Sequence, residues 1–280
     1  MIRYAGGTNV NHLFTNDTTQ QTLISTIEDC LNTAGWTTIS GHHSATIVLQ
    51  SATTPTANNS ICVRLKTTAN NCATVEILNA AASLIGQIHF LFPTNAAANQ
   101  FRVIANQYQA CVSVPGLTTA RGFVFFGVPW IPPFLVGVLN GDYGWIMGNS
   151  RDDTGTASAS FRTIIASATA PRTSVIMNAV LLNLTANDNA AGLRLMGHNG
   201  SYAYGDQKYW HDGVTQFATD PLLLFGITSG SDTCRIRGQL WDAILLSDAW
   251  VIDTAITFDS KSWLAITGGN SGGTLAVLIP

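Results

Sequence analysis

Ile61-Cys62-Val63-Arg64-Leu65-Lys66 sets Ile61, Val63 and Leu65 in strict alternation against Cys62, Arg64 and Lys66. A period of two is the spacing of a strand with one face on a core and one face outside. The polar stretch Thr53-Thr54-Pro55-Thr56-Ala57-Asn58-Asn59-Ser60 precedes it and supplies turn chemistry. Working outward, Trp36–Ser40, Thr46–Gln50 and Ala73–Leu78 are further short strand-like runs, so the region reads as an antiparallel meander. Upstream of it, Asn16–Ala34 has helical spacing, with Leu23, Ile24, Ile27, Cys30 and Leu31 on one stripe. Asn16 or Asp17 caps its start and Gly35 stops it.

Downstream, Asn95–Asn106 is expected to be a second helix, with Ala98, Phe101, Ile104 and Ala105 on one face. Tyr108–Val114 and Gly122–Val128 then read as strands joined through Pro115-Gly116-Leu117-Thr118-Thr119, and Pro129-Trp130-Ile131-Pro132-Pro133 ends the unit. Beyond about Gly137 helical periodicity disappears. Short strands are expected at Gly144–Met147, Ser158–Ile165, Ser174–Leu182, Leu222–Ile227, Arg235–Leu246, Ser262–Ile266 and Thr274–Ile279. Gly192–Thr219 reads as a long polar and aromatic loop. The fold class is therefore α+β: an N-terminal helix plus antiparallel meander, then a C-terminal antiparallel β-sandwich or barrel. The expected division is residues 1–120 and 121–280, with a boundary near 115–140 that leaves room for one intertwined unit. No tandem repeat of fixed period is present.

The 280 residues include 13 Lys and Arg against 16 Asp and Glu, a net charge of −3, and only 10% are charged. Ordinary domains carry about 25%. A monomer of this size exposes roughly 11,600 Å², or about one charge per 400 Å² where average usage gives about one per 170 Å². Such a surface defends poorly against association, and it reads as one largely covered by other protein. The basic residues are scattered, Arg64/Lys66 and Arg235/Arg237 being the close pairs, which gives no footprint for a nucleic-acid backbone. No apolar run approaches a membrane span, because Phe123–Val138 is broken by Pro129, Pro132 and Pro133. Met1–Gly7 shows no signal-peptide core, so synthesis in a cytoplasm without export by that route is expected. The five cysteines, Cys30, Cys62, Cys72, Cys111 and Cys234, are widely spaced without C-x-x-C and read as reduced, mostly buried thiols.

Gly269-Asn270-Ser271-Gly272-Gly273 matches G-x-S-x-G, but only nine strand-like residues follow Ser271, where a nucleophile elbow needs a helix. It reads as a hairpin turn between Ser262–Ile266 and Thr274–Ile279. His12, His42, His43, His89, His198 and His211 form no H-E-x-x-H and no i,i+4 pair. His42-His43 in a strand would point to opposite faces, so no shared metal is expected there. Asp152-Asp153 reads as a turn rather than a cation site, and Glu28-Asp29 as the polar face of the first helix. No phosphate-binding loop occurs, and no catalytic, cofactor or metal residue is assigned. Trp210, Trp241, Trp250 and Trp263 crowd the C-terminal part with Tyr202, Tyr204 and Tyr209, as core, protein interface or sugar-stacking platform. Tyr202, Tyr204, Tyr209 and Trp210 are the candidate interface or glycan contacts.

Two groups of segments carry a resemblance. One is Ala105-Asn106-Gln107-Tyr108-Gln109 leading to Arg121-Gly122-Phe123-Val124-Phe125-Phe126-Gly127-Val128-Pro129-Trp130. The other is Gly238-Gln239-Leu240-Trp241-Asp242-Ala243, Ser262-Trp263-Leu264 and Gly273-Thr274-Leu275-Ala276-Val277-Leu278-Ile279-Pro280. Over about half its length the chain resembles virion structural proteins of tailed bacteriophages. The resemblance implies a structural virion subunit of the tail or baseplate region, made in the host cytoplasm. Its partners would be other copies of itself and other virion proteins. It maps no site residue. A capsid-decorating role is a variant of the same reading. A sugar-binding adhesin contacting a host surface glycan is the rival, and a hydrolase using Ser271 the third.

Overall fold

The computed structural model describes residues 2–15, 20–56, 58–68, 72–78, 84–91, 100–113, 123–133, 144–151, 157–165, 172–176, 182–183, 191–196, 218–219, 223–228, 234–246, 253–266 and 274–280. Among them the chain is mostly β-strand in antiparallel sheets, with one α-helix. The order begins β1 (Val10–Thr15), α1 (Gln20–Thr33), β2 (Thr37–Ser40), β3 (Thr46–Gln50), β4 (Cys62–Thr68), β5 (Cys72–Leu78), β6 (Leu84–Leu91), β7 (Gln100–Asn106), β8 (Gln109–Ser113) and β9 (Phe123–Gly127). It continues with β10 (Trp145–Arg151), β11 (Ala157–Ile165), β12 (Arg172–Ile176), β13 (Leu182–Asn183), β14 (Ala191–Met196), β15 (Ala218–Thr219) and β16 (Leu223–Thr228). The last strands are β17 (Cys234–Gln239), β18 (Ala243–Leu246), β19 (Ala255–Phe258), β20 (Lys261–Ala265) and β21 (Thr274–Ile279).

A 13-stranded sheet runs in the order β1-β7-β8-β9-β10-β6-β5-β4-β3-β2, and β11, β12 and β13 extend from β10. Residues on both sides of position 120 share this sheet. α1 packs against β1 and β7 at one end of that order and against β2, β3, β4 and β5 at the other. The sheet must therefore bend until both ends reach the same helix. Leu23, Ile24, Ile27, Cys30 and Leu31, the expected stripe, are all buried at the centre. They meet Ile47 and Leu49, Val63 and Leu65, Val75 and Ile77, Phe101 and Val103, and Val124 and Phe126. The alternation at 61–66 is realised, since Ile61, Val63 and Leu65 are buried and Cys62, Arg64 and Lys66 partly exposed.

The helix ends as its glycine predicts. Gly35 has φ +102°, Trp36 N–H donates to Leu31 O at 2.9 Å and Gly35 N–H to Asn32 O at 3.1 Å. These two bonds are those of a Schellman cap. They turn the chain so that Trp36 enters the core and its Nε1 donates to Asn106 O at 2.9 Å. Asn16 and Asp17 lie outside the described residues.

The expected second helix over 95–106 is corrected: residues 100–106 are strand β7, paired with β1 and β8. Phe101, Val103 and Ala105 face the α1 core, yet Ile104 is buried as well. With both faces covered, the apolar run loses its period-two signature and reads equally as helix. The expected loop over 192–219 is corrected at its start, where residues 191–196 form β14 against β16. The single strand over 235–246 is two strands, β17 and β18. They part where Gly238 has φ +151° and Asp242 φ +44°. β14-β16-β17 form a three-stranded sheet and β15-β18-β21-β20-β19 a five-stranded one. Ile2, Ile244, Trp263 and Ala276 make a second, smaller core.

Candidate functional site

Two buried carboxylates each gather hydrogen bonds from several segments, and neither stands out in the sequence; a third, Glu76 on β5, is paired with Arg64 and Lys66 of the neighbouring β4. The first is Glu28. It lies on α1 but is 0% exposed, which corrects its expected place on a polar helix face. Three donors converge on it. Thr38 Oγ1 donates to Oε1 at 2.6 Å, the His43 backbone N–H to Oε2 at 2.9 Å, and His42 Nδ1 lies 2.9 Å from Oε1. Asn32 Nδ2 in turn donates to Thr38 Oγ1 at 3.0 Å. Burial pushes the Glu28 carboxyl up, but the hydrogen bonds from Thr38, His42 and the His43 backbone outweigh it and hold the group below its usual range.

His42 and His43 are not on opposite faces of a strand, which corrects the expectation for that pair. They sit in the turn between β2 and β3, with their rings stacked at a 3.9 Å centroid distance. The backbone makes this possible: Gly41 has φ +75° and His43 φ +49°. A Cβ at Gly41 would collide with the Thr46 carbonyl oxygen, so the turn requires glycine on two counts. His43 Nε2 lies 2.8 Å from Asp29 Oδ1, and this contact raises the pKa of the exposed imidazole.

The second carboxylate is Asp242, which is 1% exposed. Ala5 N–H donates to Oδ1 at 3.1 Å and Asn106 Nδ2 to Oδ2 at 2.7 Å. Its own N–H donates to Arg3 O, and its carbonyl accepts from Leu278 N–H. One residue thus ties the N-terminal segment, the end of β7 and β21 together. Next to it Trp241 stacks on Tyr108 at 4.5 Å and donates from Nε1 to Val128 O, while the Gln109 side chain bonds both backbone groups of Trp241. Arg102 adds a bidentate pair to Asp253, at 2.6 and 3.1 Å, and donates to Asn11 Oδ1. These contacts are structural joints between sheets. Trp241 and Trp263, two of the clustered tryptophans, are buried core residues.

The edges of the large sheet differ from these joints. Among the described residues β1 pairs only with β7 and β2 only with β3. Val10–Thr15 and Thr37–Ser40 hold no charged residue and no proline. Leu13 on β1 is 40% exposed and Ile39 on β2 is 54% exposed. An edge without charge or proline that exposes an apolar side chain is what natural edge strands usually suppress.

Tyr202, Tyr204, Tyr209 and Trp210 lie outside the described residues, as do Asp152, Asp153 and Ser271. Of the histidines, His12 is on the exposed part of β1 and His89 on β6, while His198 and His211 lie outside. The Glu28 cluster was missed because its members come from a helix and a turn 14 residues apart, joined by a backbone conformation that the sequence hints at only through Gly41. A comparison of the chain with protein-family models and with curated proteins finds no match.

Proposed function

We propose that this protein is an assembling structural subunit, a virion component of the tail or baseplate region of a phage. The observation that carries the assembly reading is the pair of edge strands, β1 and β2, that end the main strand order of one large antiparallel sheet without a charged residue and with one exposed large apolar side chain each, Leu13 and Ile39. Strand addition at such an edge gives main-chain hydrogen bonds to a neighbouring copy, with Leu13 or Ile39 supplying apolar contact. A chain with 10% charged residues supports the same reading, since little on its surface opposes association. The virion assignment rests on the resemblance of the segments at 105–130 and 238–280. On this reading the three-stranded and five-stranded sheets are the two layers of a C-terminal sandwich or barrel, and no cofactor takes part. Among the described residues no helix is long and apolar enough to cross a membrane.

The test is mass spectrometry of purified particles separated into heads and tails, together with light scattering of the isolated chain. Recovery in the tail fraction and a self-associating chain are expected. Absence from both fractions removes the virion assignment, and a chain monodisperse as a monomer at high concentration removes assembly through its edges. Binding on a glycan array that Trp210→Ala abolishes would replace this reading by the adhesin.

A further inference from the structure

We propose that Glu28, His42 and His43 form a binding site for a first-row divalent transition metal such as zinc, clamping the β2–β3 turn onto α1. One donor atom from each lies within 4.8 Å of the others. Metal bonds of about 2.0–2.2 Å to nitrogen and oxygen place neighbouring donors roughly 3–3.6 Å apart. Each carboxylate oxygen faces one imidazole, His42 Nδ1 lying 2.9 Å from Glu28 Oε1 and His43 Nε2 4.0 Å from Oε2, one distance on either side of that range. Both imidazoles are exposed at the surface, and binding requires His43 Nε2 to exchange its 2.8 Å contact with Asp29 Oδ1 for the ion.

Charge points the same way. Glu28 is a fully buried carboxylate on a helix, and buried charges are paired or bind metals. Among the described residues its ion-pair partners are the two histidines, and no lysine or arginine reaches it. A divalent ion between carboxylate and imidazoles supplies the missing positive charge. The donor set also selects the ion: imidazole nitrogen suits zinc, nickel, cobalt and copper, whereas calcium and magnesium favour oxygen throughout.

The supporting shell is already in place. Thr38 Oγ1 and the His43 backbone N–H fix the two carboxylate oxygens, and Asn32 fixes Thr38. Such partners orient a metal ligand without touching the ion, and Thr38 is a positioning residue in that sense. The left-handed backbone at Gly41 and His43 brings consecutive imidazoles to one side, an arrangement that a plain hairpin does not need. Three protein donors leave the outward coordination positions to water.

The experiment uses the tag-free full chain, stripped with a chelator and titrated calorimetrically with zinc, then with cobalt followed by absorption. One equivalent is expected to bind, with the cobalt bands of a nitrogen- and oxygen-ligated site. Zinc at about 100 times its Kd should shift the folding equilibrium about a hundredfold, read as a rise in Tm. His42→Ala and His43→Asn act on exposed side chains, and asparagine tolerates the left-handed backbone at 43. Each should weaken binding by at least about tenfold, as should Thr38→Val. His12→Ala should leave it unchanged. Failure of the chain to take up either metal saturably overturns the proposal. So does uptake that survives intact in both histidine variants, which would place the metal elsewhere.

Discussion

Asp242 gathers hydrogen bonds from several segments, yet it is costly to ionise. Burial raises its pKa, and the bonds from Ala5 N–H and Asn106 Nδ2, with the Lys261 charge, offset only part of that. The folded state therefore holds this proton more tightly than the unfolded chain, whose aspartates titrate near about 4. Its contribution to stability rises as pH falls through the window between the raised value and the ordinary one. Above the raised value that gain is absent, and below the ordinary value it is complete. Asp242→Asn should remove this slope from denaturant midpoints measured across mildly acidic pH. It should also cost about 1–3 kcal/mol throughout, because an amide places a second donor against Asn106 Nδ2. The buried thiols make a separate case. Burial, and secondarily the Asp29 charge, pushes Cys30 up to about 11, and burial alone pushes Cys111 higher still. With the thiolate suppressed, both should resist iodoacetamide in the native protein and react on unfolding, as mapped by peptide mass spectrometry.

At the scale of elements, α1 is held by its cap and its stripe. Gly35→Ala forces a side chain into φ +102° and brings its Cβ to 3.2 Å from the Gln107 Cβ, at a cost of about 1–2 kcal/mol. Leu31→Ala empties a fully buried position and should cost about 2–5 kcal/mol, both changes being read from chemical unfolding. These were the features most legible in the sequence: a stripe at 3.6-residue spacing, a glycine stop and the alternation of β4 follow from local periodicity. β7 was not legible, because Phe101, Val103, Ile104 and Ala105 are all buried and erase the period that separates strand from helix. β1 was missed for the opposite reason. As an edge strand carrying exposed His12 and Leu13, it has no clean inner and outer face. The Glu28 cluster hid at this scale too, since Glu28 looks like any helix-surface acid until Thr38 and the β2–β3 turn fold over it.

For the whole molecule, among the described residues β1 and β2 end the main strand order of the bent sheet and β13 ends its branch, and the proposed assembly uses the first two. Leu13→Lys and Ile39→Lys each place a charge where a neighbouring strand would lie. Each should weaken self-association at least about tenfold, the equivalent of about 1.4 kcal/mol, in sedimentation measurements while leaving the circular dichroism spectrum unchanged. An unaltered association constant in both variants would mean that subunits meet through other surfaces. The low charge that motivated this reading was visible in composition alone, whereas the identity of the edges required the strand order.

The joint at Asp242 also has a consequence in time. Ala5 bonds a residue 237 positions further along the chain, and Ile2 packs beside Ile244, Trp263 and Ala276. A growing polypeptide presents the earlier segment long before its partners leave the ribosome. Residues 2–5 can meet Gln107 earlier, but their bonds to Asp242 and the small core around Ile244, Trp263 and Ala276 must wait for those residues, so this joint closes late. A nascent chain stalled before residue 240 should leave residues 2–5 open to an added protease, and a chain in which residues 242–280 have cleared the ribosome should close that window.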